Sequence, residues 1–307
     1  MNINQLRYFI AAAEYKSFTK SANQFYISQT AITQQIQSLE ERMDVQLFDR
    51  SKRPIELTPA GNVFLSEAKA IVSRIDRALE KVQEASTGLV GSIRIGYTKG
   101  YERSNLSEIL RIFHLEYPNI LLSCYRGDTD TLAAGLFNGD YDIIFTWDST
   151  NITQETEVKW KIHEMSPLVV AMHKHHIYAH RDVLTRQELK NESIIYMTPS
   201  STGESYGDDH FMELYKQAGY LPQILLRSSD AESVLMMVAA EEGISILPDY
   251  VTKKLIRADN LEFVPLKGKD EFAKILRVWR KHDSNIALQH FLETLDKMDG
   301  KLGKRKE

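Results

Sequence analysis

The chain has 307 residues, 43% of them hydrophobic, and its 38 Lys+Arg against 42 Asp+Glu give a formal net charge of −4. That much apolar content supplies cores for two or three domains, while the lack of any eighteen-residue apolar run excludes a membrane-spanning helix. The single cysteine excludes an internal disulfide framework, and the first residues lack the basic and apolar regions of a secretory signal, so a cytoplasmic location is expected.

In chain order, Leu6, Phe9, Ile10 and Ala13 recur at helical spacing and predict an amphipathic helix near residues 4 to 15. Thr19 is read as the N-cap of a short helix through Gln24, and Ser28 as the N-cap of the next. In that next helix Ala31, Ile32, Ile36, Leu39 and Met43 fall on one face and Gln29, Thr30, Thr33, Gln34 and Gln37 on the other. A surface helix usually covers its solvent side with Lys and Glu; this one shows hydroxyls and amides until Glu40. Glutamine can bond adenine bidentately in the major groove, and threonine can bond a base or touch a thymine methyl. Taken alone, the same face also suits an ordinary uncharged surface. Two short apolar runs, Leu47-Phe48 and Ile55 to Leu57, then flank a basic turn and predict a two-stranded wing. Arg50, Lys52 and Arg53 are candidates for phosphate or minor-groove contact. Thr58-Pro59 reads as an N-cap with proline at the first helical position.

Helix, turn, uncharged second helix, basic hairpin and capped helix start form the order in which a winged helix-turn-helix meets DNA. The stretch Phe9 to Gly61 resembles the DNA-binding domain of the LysR-type transcriptional regulators. The resemblance is carried by Ser17-Phe18-Thr19, Ser21-Ala22, Ser28-Gln29-Thr30-Ala31-Ile32-Thr33, Leu39-Glu40, Leu47-Phe48-Asp49-Arg50 and Leu57-Thr58-Pro59-Ala60-Gly61. Three positions depart from the family pattern: Thr30 replaces the usual proline, Thr33 the usual serine, and Asp44 the glycine of the helix end. Thr33 keeps a hydroxyl for base contact; Asp44 either strains the helix C-terminus or adjusts its cap. The candidate DNA-reading set is Ser28, Gln29, Thr30, Thr33, Gln34, Gln37, Arg50, Lys52 and Arg53.

Beyond the wing, Phe64, Ala68, Ile71, Ile75, Ala78 and Val82 step by four and three, which predicts an a/d seam along one long helix. The resemblance implies that such a helix pairs two subunits and places two reading helices on one pseudo-palindromic site. Ser86-Thr87-Gly88, with Gly91, reads as the hinge that ends it. Residues 1 to 65 hold 7 Lys/Arg against 6 Asp/Glu, so non-specific DNA affinity per subunit should be weak and specific binding should lean on dimerisation and base contacts.

From residue 91 onward strands and helices alternate. Strands are predicted at 92–97, 120–125, 142–145, 193–197, 224–226 and 243–247, and helices at 106–113, 132–137, 205–218 and 231–240. This βαβ order means parallel sheets with covered faces. It also resembles the LysR effector domain, as does the turn Ala239 to Pro248. That resemblance implies two subdomains, joined by two crossing strands near 158–164 and 265–272, with a small-molecule pocket between them. The expected fold is therefore α/β overall. An N-terminal all-α winged helix-turn-helix with a long linker helix precedes a periplasmic-binding-protein-like α/β effector domain of two subdomains. The expected boundaries are 1–58 for the DNA-binding domain, 59–88 for the linker helix and 91–303 for the effector domain. Within the last, subdomain I spans about 91–161 and 268–303, and subdomain II about 162–267.

In open α/β sheets ligands sit where strands give way to helix N-termini, whose free N–H groups and dipole favour anions. Tyr97, Thr98, Lys99, Gly100 and Tyr101 form one such end, Thr129 a second, Thr198, Ser200, Ser201 and Thr202 a third, and Ser229 a fourth. Hydroxyls and amides there suit a small anionic metabolite, aromatic in view of Tyr97 and Tyr101, although Asp128 and Asp230 argue against a highly charged one. Thr98 and Thr129 could equally be plain helix caps. His173, His175, His176 and His180 in HKHHIYAH are read as ordinary histidines, and no metal and no cofactor is expected. Cys124 and Met236-Met237 are read as core. No Gly-x-Ser-x-Gly, Walker loop or His-Glu-x-x-His occurs, so no enzyme is expected. The reading is a ligand-controlled, sequence-specific transcriptional regulator. Its expected partners are double-stranded promoter DNA, a small-molecule effector, RNA polymerase and further copies of itself, as dimers paired through the linker helix and assembled into a homotetramer.

Overall fold

The computed structural model describes residues 1–87, 91–148, 151–198, 206–253 and 260–303. The chain divides into two compact units, one built on Met1–Thr87 and a larger one that takes most of the remainder. Each is described by itself.

In the first unit, α1 (Ile3–Tyr15), α2 (Phe18–Gln24) and α3 (Gln29–Met43) precede β1 (Phe48–Asp49), β2 (Glu56–Leu57) and α4 (Pro59–Thr87). Asn2 and Gln5 close a reciprocal capping box at the start of α1. The cap of α2 is Ser17, two residues before the expected Thr19: its hydroxyl accepts the Lys20 N–H at 3.3 Å. Ser28 caps α3 through the Ala31 N–H at 3.1 Å. Phe9, Ile32, Ile36, Leu39, Leu47 and Phe48 are sealed in one core. Removing a fully buried side chain of this kind from water contributes about 1.5–3 kcal/mol, so three short helices and a two-residue-per-strand wing hold together. Gly61 is required because a Cβ there would lie 2.1 Å from the Leu47 carbonyl oxygen, which already accepts the Thr58 N–H at 3.0 Å.

The predicted seam on α4 divides into two parts. Phe64 and Ala68 pack into the unit's own core, and Arg7–Asp76 (2.6 Å) and Lys69–Glu14 (2.7 Å) tie α4 to α1. Ile71, Ile75, Ala78 and Val82 are exposed, Val82 to 71%. Part of the hinge, Gly88, lies outside the described residues.

Helix α3 ends in a Schellman motif. The Val45 N–H bonds the Glu40 carbonyl at 3.2 Å, the Asp44 N–H bonds that of Glu41 at 3.3 Å, and Asp44 sits at φ +52. Glycine suits that left-handed position, and an L-residue there is strained. Asp44→Gly should therefore raise the stability of this unit by about 0.5–1 kcal/mol, the relief of strain less glycine's extra chain entropy. The unfolding midpoint of the full chain in denaturant, followed by helix signal, checks this; an unchanged or lower midpoint would show that Asp44 is not strained.

The second unit contains β3 (Gly91–Thr98), α5 (Leu106–Glu116), β4 (Ile120–Gly127), α6 (Thr129–Asn138), β5 (Ile143–Trp147), β6 (Val158–His173), β7 (Ser193–Met197), α7 (Tyr206–Gln217), β8 (Gln223–Ser228), α8 (Ala231–Ala239), β9 (Ser245–Pro248), α9 (Asp249–Thr252), β10 (Leu261–Pro265), β11 (Phe272–Arg280) and α10 (Ile286–Gly303). Strands β4, β3 and β5 are parallel neighbours, and β11 lies antiparallel to β5. The sixteen-residue β6 pairs with β11 over Val158–Pro167, then with β9 and β10 over Leu168–His173. Strand β7 pairs with β8 in parallel and bridges Ile194 to Ile244 at the entry to β9. β6 and β11 are thus the two crossing strands that join two α/β subdomains. The exchange of partners falls at Pro167–Leu168 on β6, just beyond the expected 158–164, and at Phe272, the start of β11 and the end of the expected 265–272. Gly243 permits the close approach at Ile244, since a Cβ there would lie 2.5 Å from the Ser193 carbonyl oxygen.

Two residues expected in the core are not there. β4 is the edge strand of its sheet, and Cys124 is exposed on it. Met236 is 65% exposed on α8, whereas Met237 packs against the core. Among the described residues no helix is long and apolar enough to cross a membrane.

Candidate DNA-reading face and effector cleft

Ile32, Ile36 and Leu39 anchor α3 in the core, which turns its other face outward. Ser28, Gln29, Thr30, Gln34 and Gln37 are exposed there, and Thr33 is half-buried. Two of these groups have partners within the unit. The Thr33 hydroxyl donates to the Gln29 carbonyl at 2.8 Å, and the Thr19 hydroxyl donates to the Gln29 side-chain oxygen at 3.1 Å. Thr33 therefore presents its methyl and an oxygen lone pair, and Gln29 is positioned from α2. Sequence reasoning missed Tyr26, which is 96% exposed in the turn before α3 at φ +54. The signal was a large aromatic in a turn with no periodic partner.

The wing's basic residues differ from one another. The Arg50 guanidinium donates to Glu40 at 2.6 Å and lies over the Phe18 ring, its carbon 5.7 Å from the centroid. Lys52 is ion-paired with Glu56. Arg53 is exposed and makes no ion pair among the described residues. Arg50 is thus engaged in holding the wing, which was not expected of it.

In the second unit, the structure brings together some of the predicted strand ends. The Lys99 ammonium donates to the Ser229 hydroxyl at 3.0 Å, linking the end of β3 to the end of β8. Gly100 sits at φ +89, where a Cβ would stand 3.3 Å from Val251, 3.5 Å from Ala231 and 4.0 Å from Met197. Tyr97 is half-buried beside them. Other predicted residues turn away. Tyr101 is fully buried, and its hydroxyl donates to Glu164 at 3.0 Å while its ring packs edge-on against Tyr250 at 5.1 Å. Thr98 and Thr129 are buried as well. The Thr198 hydroxyl donates to Asp208 at 3.0 Å and its N–H to the Ser228 carbonyl at 3.0 Å. Ser200, Ser201 and Thr202 lie outside the described residues.

Two of the helix N-termini carry a carboxylate cap of their own. Asp128 accepts the Thr131 N–H at 2.9 Å at the start of α6. Asp230 accepts the Ser233 N–H at 3.0 Å and the Ser233 hydroxyl at 2.7 Å at the start of α8. The Ser233 hydroxyl bond holds the Asp230 carboxyl below its usual range.

Sequence reasoning also missed Trp147, the last residue of β5, which in register stands two residues beyond Tyr97 of β3. Trp147 and Phe211 meet edge-on at 6.1 Å. A solvent-open cavity of about 140 Å³ lies against them, lined also by Asp148, His210, Phe272, Ala273 and Lys274. A second, water-sized void of about 20 Å³ shares Trp147 and Phe211 and is lined further by Arg186, Tyr196, Met197 and Tyr215. The signal was in the sequence: Trp147-Asp148 stands one residue, Thr146, beyond the apolar run Ile143 to Phe145.

A winged helix-turn-helix with an uncharged reading face, and a two-subdomain α/β unit with a cavity beside its crossing strands, define a ligand-binding transcriptional regulator. Residues 3–62 match the family described as bacterial regulatory helix-turn-helix protein, lysR family, and residues 86–299 match the LysR substrate binding domain. The chain belongs to the LysR family, whose members are transcriptional regulators and not enzymes. It is 30% identical over 284 residues to the uncharacterized HTH-type transcriptional regulator YnfL of Escherichia coli strain K12, covering 92% of this chain and 93% of that one. It is 28% identical to the HTH-type transcriptional regulator BenM of Acinetobacter baylyi over 96% of this chain and 95% of that one. The crystal structure of CbnR, a LysR family transcriptional regulator, aligns with a TM-score of 0.75 and 26% identity over 97% of this chain and 99% of that chain. The protein is a LysR-type DNA-binding transcriptional regulator with an effector-binding domain.

Proposed function

We propose that two copies of this chain pair through the exposed stripe Ile71, Ile75, Ala78 and Val82 of α4 and set two α3 helices on one promoter site in the cytoplasm. Pairs of dimers then form a tetramer that contacts RNA polymerase. The domain limits 1–58, 59–88 and 91–303 describe this division of labour. The observation that carries the reading is the outward face of α3, where Gln29, Thr30, Thr33, Gln34 and Gln37 are free of formal charge while the opposite face is fully buried. Structural likeness extends to CbnR in complex with its target DNA, at a TM-score of 0.73 and 26% identity. A footprint on the DNA upstream of the protein's own gene tests the proposal: protection of two in-phase, roughly palindromic half-sites is expected, and featureless salt-sensitive coating would overturn it. Gln34→Ala should weaken specific binding by about 1–3 kcal/mol, the range for losing one bidentate base contact, and leave non-specific binding unchanged. Gln29→Ala should do the same; an unaltered ratio of specific to non-specific affinity removes the residue from the readers.

The effector is a small metabolite with one negative charge and an apolar or aromatic body. Its charge meets Lys99, whose ammonium bonds a neutral hydroxyl, and its body meets Trp147 and Phe211. Tyr97, Gly100 and Ser229 complete the wall. Asp128 and Asp230 disfavour a second negative charge. Calorimetric titration of a metabolite panel should find binding among monoanions and its loss, tenfold or more, in Lys99→Met. Binding confined to neutral or cationic compounds would defeat this reading. Effector binding acts on DNA affinity only if it favours one arrangement of the subdomains over another.

A further inference from the structure

The geometry points to a divalent transition-metal site of the zinc class on the second unit, formed by His173, His175 and Glu241. His173 ends β6, His175 follows in the next turn, and Glu241 lies in the turn after α8. One ligand atom from each lies within 4.8 Å of the others. His173 Nδ1 is 3.2 Å from a Glu241 carboxylate oxygen, and the His173 and His175 rings meet edge-on at 4.9 Å. Tetrahedral zinc with donors at about 2.0–2.1 Å sets those donors about 3.3 Å apart. The His173–Glu241 spacing already has that value. The remaining distances close by about 1.5 Å at most, which side-chain rotation can supply because His175 and Glu241 are both exposed.

Two further observations favour a built site over a chance grouping. His173 is almost wholly buried, so one ligand is fixed and only the outer two must adjust. Glu241 occupies the left-handed position of a Schellman motif at φ +62: its N–H bonds the Val238 carbonyl at 3.1 Å, and the Glu242 N–H bonds that of Met237 at 3.2 Å. Glycine would fit there without strain, yet the chain holds a carboxylate at that point, facing His173. The neighbouring His176 is engaged with Glu192 at 3.2 Å and is not a member of the set. Two imidazoles and one carboxylate favour zinc, nickel or copper over magnesium or calcium, and exposure leaves room for water at the remaining positions. Metal would fasten the turn after α8 to the end of β6.

The test uses the untagged full-length protein. Calorimetric titration with Zn²⁺ should show one ion bound per chain in the micromolar range or tighter, and titration with Mg²⁺ should show none. His175→Ala and Glu241→Gln, both at exposed positions, should each weaken Zn²⁺ binding at least tenfold. Glu241→Gly should also lose Zn²⁺ affinity while raising the melting temperature of the metal-free protein, which separates loss of a ligand from loss of fold. Absence of saturable Zn²⁺ binding, or stoichiometric binding that all three variants retain, would overturn the site.

Discussion

Glu271→Ala should destabilise the effector domain by about 3–5 kcal/mol, the cost of leaving a buried guanidinium without its carboxylate. Arg186 donates from Nε and Nη2 to the two Glu271 oxygens at 2.9 and 2.6 Å, and the side chains are 4% and 10% exposed. The guanidinium also lies 4.4 Å from the centroid of the Tyr215 ring, and the Arg186 carbonyl accepts the Tyr220 hydroxyl at 2.7 Å. The pair joins the Arg186–Leu189 turn to the residue before β11, 85 positions away in sequence, and Arg186 lines the cavity beside Trp147 and Phe211. Removing one partner strands a charge; removing both does not. Arg186→Met combined with Glu271→Leu should therefore recover most of the loss. Denaturant unfolding of the single and double variants checks this. A single-variant cost below about 1 kcal/mol would mean that water reaches Arg186.

How much of this was legible depended on how local each feature is. Helix starts at Ser28 and Thr58-Pro59, the wing at Leu47 to Leu57 and the buried face of α3 were readable because caps, turns and periodicity are set by neighbours within a few residues. The cap of α2 shifted from Thr19 to Ser17 because both are hydroxyl residues before the same apolar run. Features that join distant residues were not readable. Glu40 and Arg50 appear as two separate motif residues, and nothing in their spacing says that they pair. Tyr101 follows a strand end, which suggested a cleft residue, but the single 3₁₀ turn Tyr101–Arg103 rotates it into the core. Cys124 was assigned to the interior because parallel sheets are usually covered on both faces; β4 is an edge strand, and its consecutive residues Cys124, Tyr125 and Arg126 are all exposed. Only the first part of β6, near 158–164, was expected, because its two halves have different surroundings. Lys159 to Glu164 is largely exposed along β11, whereas Leu168 to Met172 is buried between β9 and β10. The resemblance supplied the crossing strands near 158–164 and 265–272, and the strands themselves run Val158–His173 and Phe272–Arg280.

Glu40→Ala should cost the N-terminal unit about 2–4 kcal/mol and abolish DNA binding at ordinary protein concentrations. Glu40 is 9% exposed. One carboxylate oxygen accepts the Leu47 N–H at 2.8 Å and the Phe48 N–H at 3.3 Å, and the other accepts Arg50 at 2.6 Å. Leu47 and Phe48 are buried, so truncation leaves two main-chain donors without an acceptor and releases the wing from the end of α3. Arg50→Ala should cost less, about 1 kcal/mol, because its side chain is 37% exposed and water replaces it. That difference decides what Arg50 does. A guanidinium that reaches phosphate would, on removal, flatten the dependence of DNA affinity on salt by about one charge. A guanidinium that only braces the wing would lower the melting temperature and leave the salt slope intact. With its Nη2 already bonded to Glu40, the bracing outcome is expected, and Arg53 becomes the wing residue whose removal should flatten the slope.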